Sequence, residues 1–161
     1  MIKFKNKLSI FFILLICLNG YSQKTNLENR LSKCYSEETN LSIALCTRHI
    51  ADSLNLEISK KYNFIINKLD SAINQHSKNI LINTDTENIS FSKQQINYFK
   101  NIKSEFIISQ NTFSKYLEVE IEFIGNLTDT GKARTIIENS REIELLDERL
   151  KYFDKLIYNN F

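Results

Sequence analysis

The chain has no proline and no tryptophan, and its 161 residues include only three glycines, three cysteines and two histidines. A β-rich fold needs turn residues every 8 to 12 positions or so, and here they are missing. An all-α fold is what such a composition leaves. The same scarcity removes most site chemistry. His49 and His76 stand in no His-Glu-x-x-His spacing. Gly125 and Gly131 do not lead into the Gly-Lys-Ser/Thr ending of a phosphate loop. The cysteines lack the close pair at each end that a zinc site shows. No metal, cofactor or catalytic set is expected.

The amino terminus is different in kind. Lys3, Lys5 and Lys7 precede an apolar run from Leu8 to Leu18, and Asn19, Gly20, Tyr21, Ser22 and Gln23 follow. This basic, apolar, small-residue order is that of a secretory signal peptide over residues 1–22, with cleavage after Ser22. The run is too short for a membrane span, which takes about 20 apolar residues. Cys17 as a lipid acceptor is disfavoured, because Leu14, Leu15 and Ile16 put bulk where a lipobox has a small residue. The expectation is a periplasmic or secreted protein whose residues 23–161 form a single domain.

Setting aside Lys3, Lys5 and Lys7 leaves 18 basic against 19 acidic residues, a net charge of −1. A near-neutral chain has no electrostatic case for binding nucleic acid. The pI of about 8.3 owes much to the leader.

Apolar residues then recur at helical spacing. Leu41, Leu45, Leu54, Ile58, Tyr62, Ile65, Leu69 and Ile73 mark a first long helix from Glu37 to about His76, started near Ser36. Residues 77–91, rich in Asn, Ser and Thr, read as a loop. Ile96, Phe99, Ile102, Phe106, Phe113, Tyr116 and Leu117 mark a second helix from Ser92 to Ile124, which takes in the alternating LEVEIEF of residues 117–123. GNLTDTG, residues 125–131, reads as the clearest break. Ile136, Ile137, Ile143, Leu146, Leu150, Phe153 and Ile157 mark a third helix from Ala133 to Tyr158. The architecture expected is a small antiparallel helical bundle of two long helices plus a third, C-terminal one.

His49 lies three positions after Cys46, one helical face apart, and reads as a half-exposed histidine beside a structural cysteine; His76 reads as solvated. The acidic residues Glu142, Glu144, Asp147 and Glu148 alternate with Arg141 and Arg149, the pattern of a salt-bridged solvent face.

An exported chain folds where disulfides form, and Cys34 and Cys46 are the even pair left after cleavage. On one continuous helix their Cα atoms would lie about 18 Å apart, against the roughly 4.4 to 6.8 Å that a disulfide tolerates. A bridge therefore demands a turn, near Tyr35 to Glu38, that pins an arm of Asn26 to Lys33 onto the long helix. Two separate thiols are the alternative.

These residues resemble the lysozyme inhibitor LprI-like domain family, small exported all-helical domains. Cys34, Cys46, Leu54, Ile58 and Tyr62 fall on its opening pattern, with Asn55 where the family has an acid. Gln110, Phe113 and Tyr116 fit its middle pattern, Phe113 replacing a tryptophan, and Leu117 and Ile121 stand where an arginine and a cysteine would be. Arg149 and Leu150 match its closing pattern, while Arg141 occupies the position of the fourth cysteine. Both members of the family's second bridge are thus absent together. The resemblance implies binding of a lysozyme or another envelope enzyme, with Glu118, Glu120 and Glu122 as the candidate partner-binding segment, since lysozymes are usually cationic. A non-inhibitory structural or partner-binding envelope module is the alternative.

The bridge predicts a thiol count. Residues 23–161, purified without reductant and denatured, should give no free thiol with a colorimetric reagent and two after reduction.

Overall fold

The computed structural model describes residues 26–128 and 133–160. They are helical nearly throughout, with no strand among them. Residues 26–35 form α1; α2 runs Asn40–Ile82, α3 Thr86–Leu127 and α4 Arg134–Asn160. Residues 1–25, with the expected signal peptide and Cys17, and residues 129–132, with Gly131, lie outside the described residues.

The chain turns at residues 36–39, where the thiol spacing required it. The Ser36 amide donates to the carbonyls of Ser32 and Lys33, and the Glu37 amide to that of Cys34. Thr39, not Ser36, caps α2: its extended backbone lets its hydroxyl accept from the Ser42 amide at 3.1 Å. Cys34 and Cys46 are joined, their Cα atoms 5.4 Å apart. Leu27 and Leu31 of α1 pack on the core beside the buried Cys34. Closing so short a loop contributes on the order of 3 kcal/mol in the chain-entropy view.

α2 is the helix that both others share. Its buried residues Ile50, Ala51, Leu54, Ile58, Ile65 and Leu69 meet Phe106 of α3 and Ile143, Leu146, Leu150 and Phe153 of α4. Burying each large apolar side chain contributes roughly 1.5 to 3 kcal/mol. α2 and α4 run parallel, since Ala44 meets Asn139 and Lys61 meets Asp154. α3 runs antiparallel to both: Tyr62 stacks on Phe106, Asp70 pairs with Lys103, and Glu120 pairs with Arg141. Thr47, fully buried, accepts from the Asn139 amide, whose nitrogen also donates to the Ala44 carbonyl. That polar junction is satisfied, as burial demands.

Three sequence expectations are corrected. Residues 77–91 are not a loop: α2 continues to Ile82, and only residues 83–85 separate it from α3. Asn, Ser and Thr each cost at most about 0.7 kcal/mol in a helix, and their side chains are used locally. Ser77 donates to the Ile73 carbonyl, Asn83 to that of Asn79, and Asp85 caps α3 by accepting from Glu87. Second, Leu41 and Leu45 are exposed although they continue the stripe. At this end the core is entered by Thr47, which sits about 200° around the helix from Leu45 at 100° per residue.

Third, α3 passes through Gly125 to Leu127, so the break begins later than GNLTDTG suggests. Gly125 is instead a point of close approach. A Cβ there would lie 2.1 Å from Glu138 Oε1 and 2.7 Å from Arg134 Nη2, the ends of an ion-paired couple on α4. Both are tips of long side chains that can swing aside. Gly125→Ala should therefore be neutral to about 0.5 kcal/mol stabilising, because a helix-propensity gain of about 1 kcal/mol exceeds the few tenths an i,i+4 pair supplies. Gly125→Leu should lose more than about 1 kcal/mol by prising α3 from α4. Urea unfolding of both variants checks the sign and the order.

Candidate functional site

No group of three His, Cys, Asp or Glu side chains fit to hold a metal occurs among the described residues. No helix among them is long and apolar enough to cross a membrane. Cys46 is in the disulfide, so no Cys-His nucleophile forms with the exposed His49. His76 is not solvated as expected. It is half-buried, ring to ring with Phe99 at 6.0 Å and edge-on to Phe91 at 6.1 Å, its Nδ1 buried without a hydrogen bond. The reason is that α2 runs on to Ile82 and the chain turns back at residues 83–85, which brings the first turns of α3 alongside it.

The acidic residues are also sorted by the fold. Glu118 and Glu122 are exposed, but Glu120 holds Arg141 through Nε and Nη2 at 3.0 and 2.7 Å. Donating hydrogen bonds to Glu120 and Glu144 moves the Arg141 guanidinium further above its ordinary pKa. The segment is thus two available carboxylates flanking one committed to an interhelical bridge. Glu142 departs from the solvent-face reading altogether: it is buried against α2, accepting from Arg48 at 2.9 Å and from the Asn55 amide at 3.1 Å.

Arg149 departs from it too. Its Nε donates to Gln110 Oε1 at 3.1 Å and its Nη2 to Ser109 Oγ at 3.2 Å, both neutral oxygens on α3. Its guanidinium lies 4.8 to 5.0 Å from the ring centres of Phe113, Tyr152 and Phe153. Burial moves its pKa below the ordinary value, yet an arginine stays charged at neutral pH. Ring faces here take the place of a carboxylate.

Beside this cluster a groove of about 500 Å³ opens where α2, α3 and α4 meet. Ile65 and Leu69 of α2 and Phe99, Ile102 and Phe106 of α3 make its apolar surface, with Tyr98 of α3 and Tyr152 and Leu156 of α4 beside them. Glu105, Ser109 and Asn160 supply its polar atoms. Tyr98, Ile102, Glu105 and Ser109 follow steps of four, three and four, so they share one face of α3. Sequence reasoning missed this site. In sequence Glu105 and Ser109 share a face with Tyr98 and Ile102, but nothing local to them shows that α4 comes to lie beside that face. The groove is separate from Glu118, which lies nine residues, about 13 Å, further along α3 than Ser109.

The Arg149 cluster carries a test. Lysine keeps the charge but has neither the planar fork nor its stacking surface. Arg149→Lys should cost about 1 to 2 kcal/mol in urea unfolding, well above the half kcal/mol of an ordinary surface change. In comparisons with known proteins, no family model, no curated protein and no solved structure matches this chain.

Proposed function

We propose that the chain is an exported, all-helical protein-binding domain, similar to the lysozyme inhibitor LprI-like domains, that inhibits a lysozyme or another envelope enzyme and catalyses nothing itself. One observation carries the reading: residues that matched the family pattern far apart in sequence meet in space. Arg149 donates to Gln110 and stacks on Phe113, all three of them pattern positions. Leu54 and Ile58 are core, Tyr62 packs against it, and Cys34 is bonded to Cys46.

The departures from the pattern are compensated as well. Where the family has its second cystine, this chain has Ile121 and Arg141, and the Glu120–Arg141 ion pair ties α3 to α4 there. Where the family has an acid, Asn55 donates to Glu142, so a carboxylate from α4 meets that position. The disulfide supports export, with residues 1–22 as its signal.

The alternative, a partner-binding envelope module without inhibitory activity, is favoured by a different feature. Tyr116, Val119, Phe123 and Leu127 form an exposed apolar row on α3, between 46% and 68% accessible. Such a row suits attachment to another protein surface rather than entry into a cleft.

The two readings separate in an inhibition assay. The oxidised protein, residues 23–161, should reduce the activity of at least one of several lysozyme types at micromolar concentration, and reduction of the disulfide should weaken the effect. Full lytic activity with every type at that concentration would favour the non-inhibitory module.

A further inference from the structure

We propose that the groove between α2, α3 and α4 binds a small organic cation carried on an apolar body. This goes beyond the inhibitor reading and does not rest on it.

Volume and surface come first. About 500 Å³ is within the range of small-ligand sites, and aliphatic and aromatic side chains make most of the wall. The charge follows. No lysine, arginine or histidine lines the groove, and Glu105 is its one carboxylate. Glu105 has no ion-pair partner among the described residues, whereas Asp70, Glu120, Glu138, Glu142 and Asp154 all do. Two further sources of negative potential converge there. Tyr98 and Tyr152, more than 40% exposed, line the groove, and aromatic rings are surfaces on which a cation rests favourably. Asn160, which also lines it, ends α4, and no basic side chain occupies that last turn to offset the negative end of the helix dipole.

One cation opposes this. Arg149 reaches Ser109 at one end of the groove and already engages one face of Tyr152. Ser109 is one helical turn from Glu105, about 6 Å along α3. The arrangement therefore has a direction: the ligand's cationic head sits at Glu105, on the side towards Tyr98 and Asn160, and away from Arg149. Its apolar body lies over Ile65, Leu69 and Phe106.

Three probes with one shape and three charges test it: phenethylammonium, 2-phenylethanol and phenylacetate. Each is titrated into isotope-labelled, oxidised protein (residues 23–161), following amide and aromatic NMR shifts. The expected order of affinity is ammonium, then alcohol, then carboxylate, with the first about three- to tenfold tighter than the second. Shifts should centre on Tyr98, Ile102, Glu105 and Leu156. Glu105→Gln, a change at an exposed side chain that leaves the fold intact, should bring ammonium and alcohol within about twofold of one another and leave the alcohol unchanged. Leu156→Trp, checked for helicity by circular dichroism, should weaken all three by filling the groove. Tightest binding of phenylacetate would show that the field of Arg149 dominates, and would overturn the proposal. So would equal binding of the three probes, shifts centred elsewhere, or no shifts at 10 mM.

Discussion

Everything in this molecule depends on one helix burying its stripe against two others at once. α2 presents Leu54, Ile58, Ile65 and Leu69 along a single line, and that line is the seam into which Phe106 of α3 and Leu146, Leu150 and Phe153 of α4 pack. α3 and α4 touch each other less than either touches α2. The groove exists because of that inequality: helices held mainly through a common neighbour do not close over one another. The disulfide and Thr39 fix where the seam starts, and Asn83 to Asp85 fix where the chain turns back.

Most of the helical content was legible because nothing in the sequence could interrupt it. Without proline, the polar residues on either side of the turn at 83–85 have no reason to leave their helices. Reading them as a loop gave weight to side-chain polarity, when their backbone cost was small and their hydroxyls and amides had carbonyls within reach. The thiol spacing was the most informative signal, since helical rise alone required a turn between Cys34 and Cys46. The site was less legible. Ion pairing between helices depends on register, and register cannot be counted from one strip of sequence. Nothing local to Glu142 announces that it faces inward to Arg48 and Asn55, while Glu144 two positions later is exposed. Glu105 reads like any other surface acid until Tyr152 and Leu156 arrive from α4.

The ion pairs between helices share a logic. Each joins one long, flexible side chain to a fixed position on a neighbour: Lys61 to Asp154, Lys103 to Asp70, Arg48 to Glu142, Arg141 to Glu120. Pairs of this kind contribute little to net stability, about 1 kcal/mol or less where solvent reaches them. They matter more for alignment. An apolar seam alone would tolerate a slip of one turn along α2, whereas each such slip would separate these charges by about 5 Å.

The helices are unequal in length, and this gives the molecule two ends of different character. α2 has 43 residues and α4 has 27, so the α2–α3 hairpin continues for about 24 Å past the end of α4. Over that stretch each helix has a single neighbour among the described residues, the other arm of the hairpin. Hydrogen-exchange protection should therefore decline from the disulfide end towards Asn83, with the outer turns opening while the three-helix part stays closed. The unbonded His76 nitrogen sits in this more easily opened half, where a transient separation of the helices gives it water.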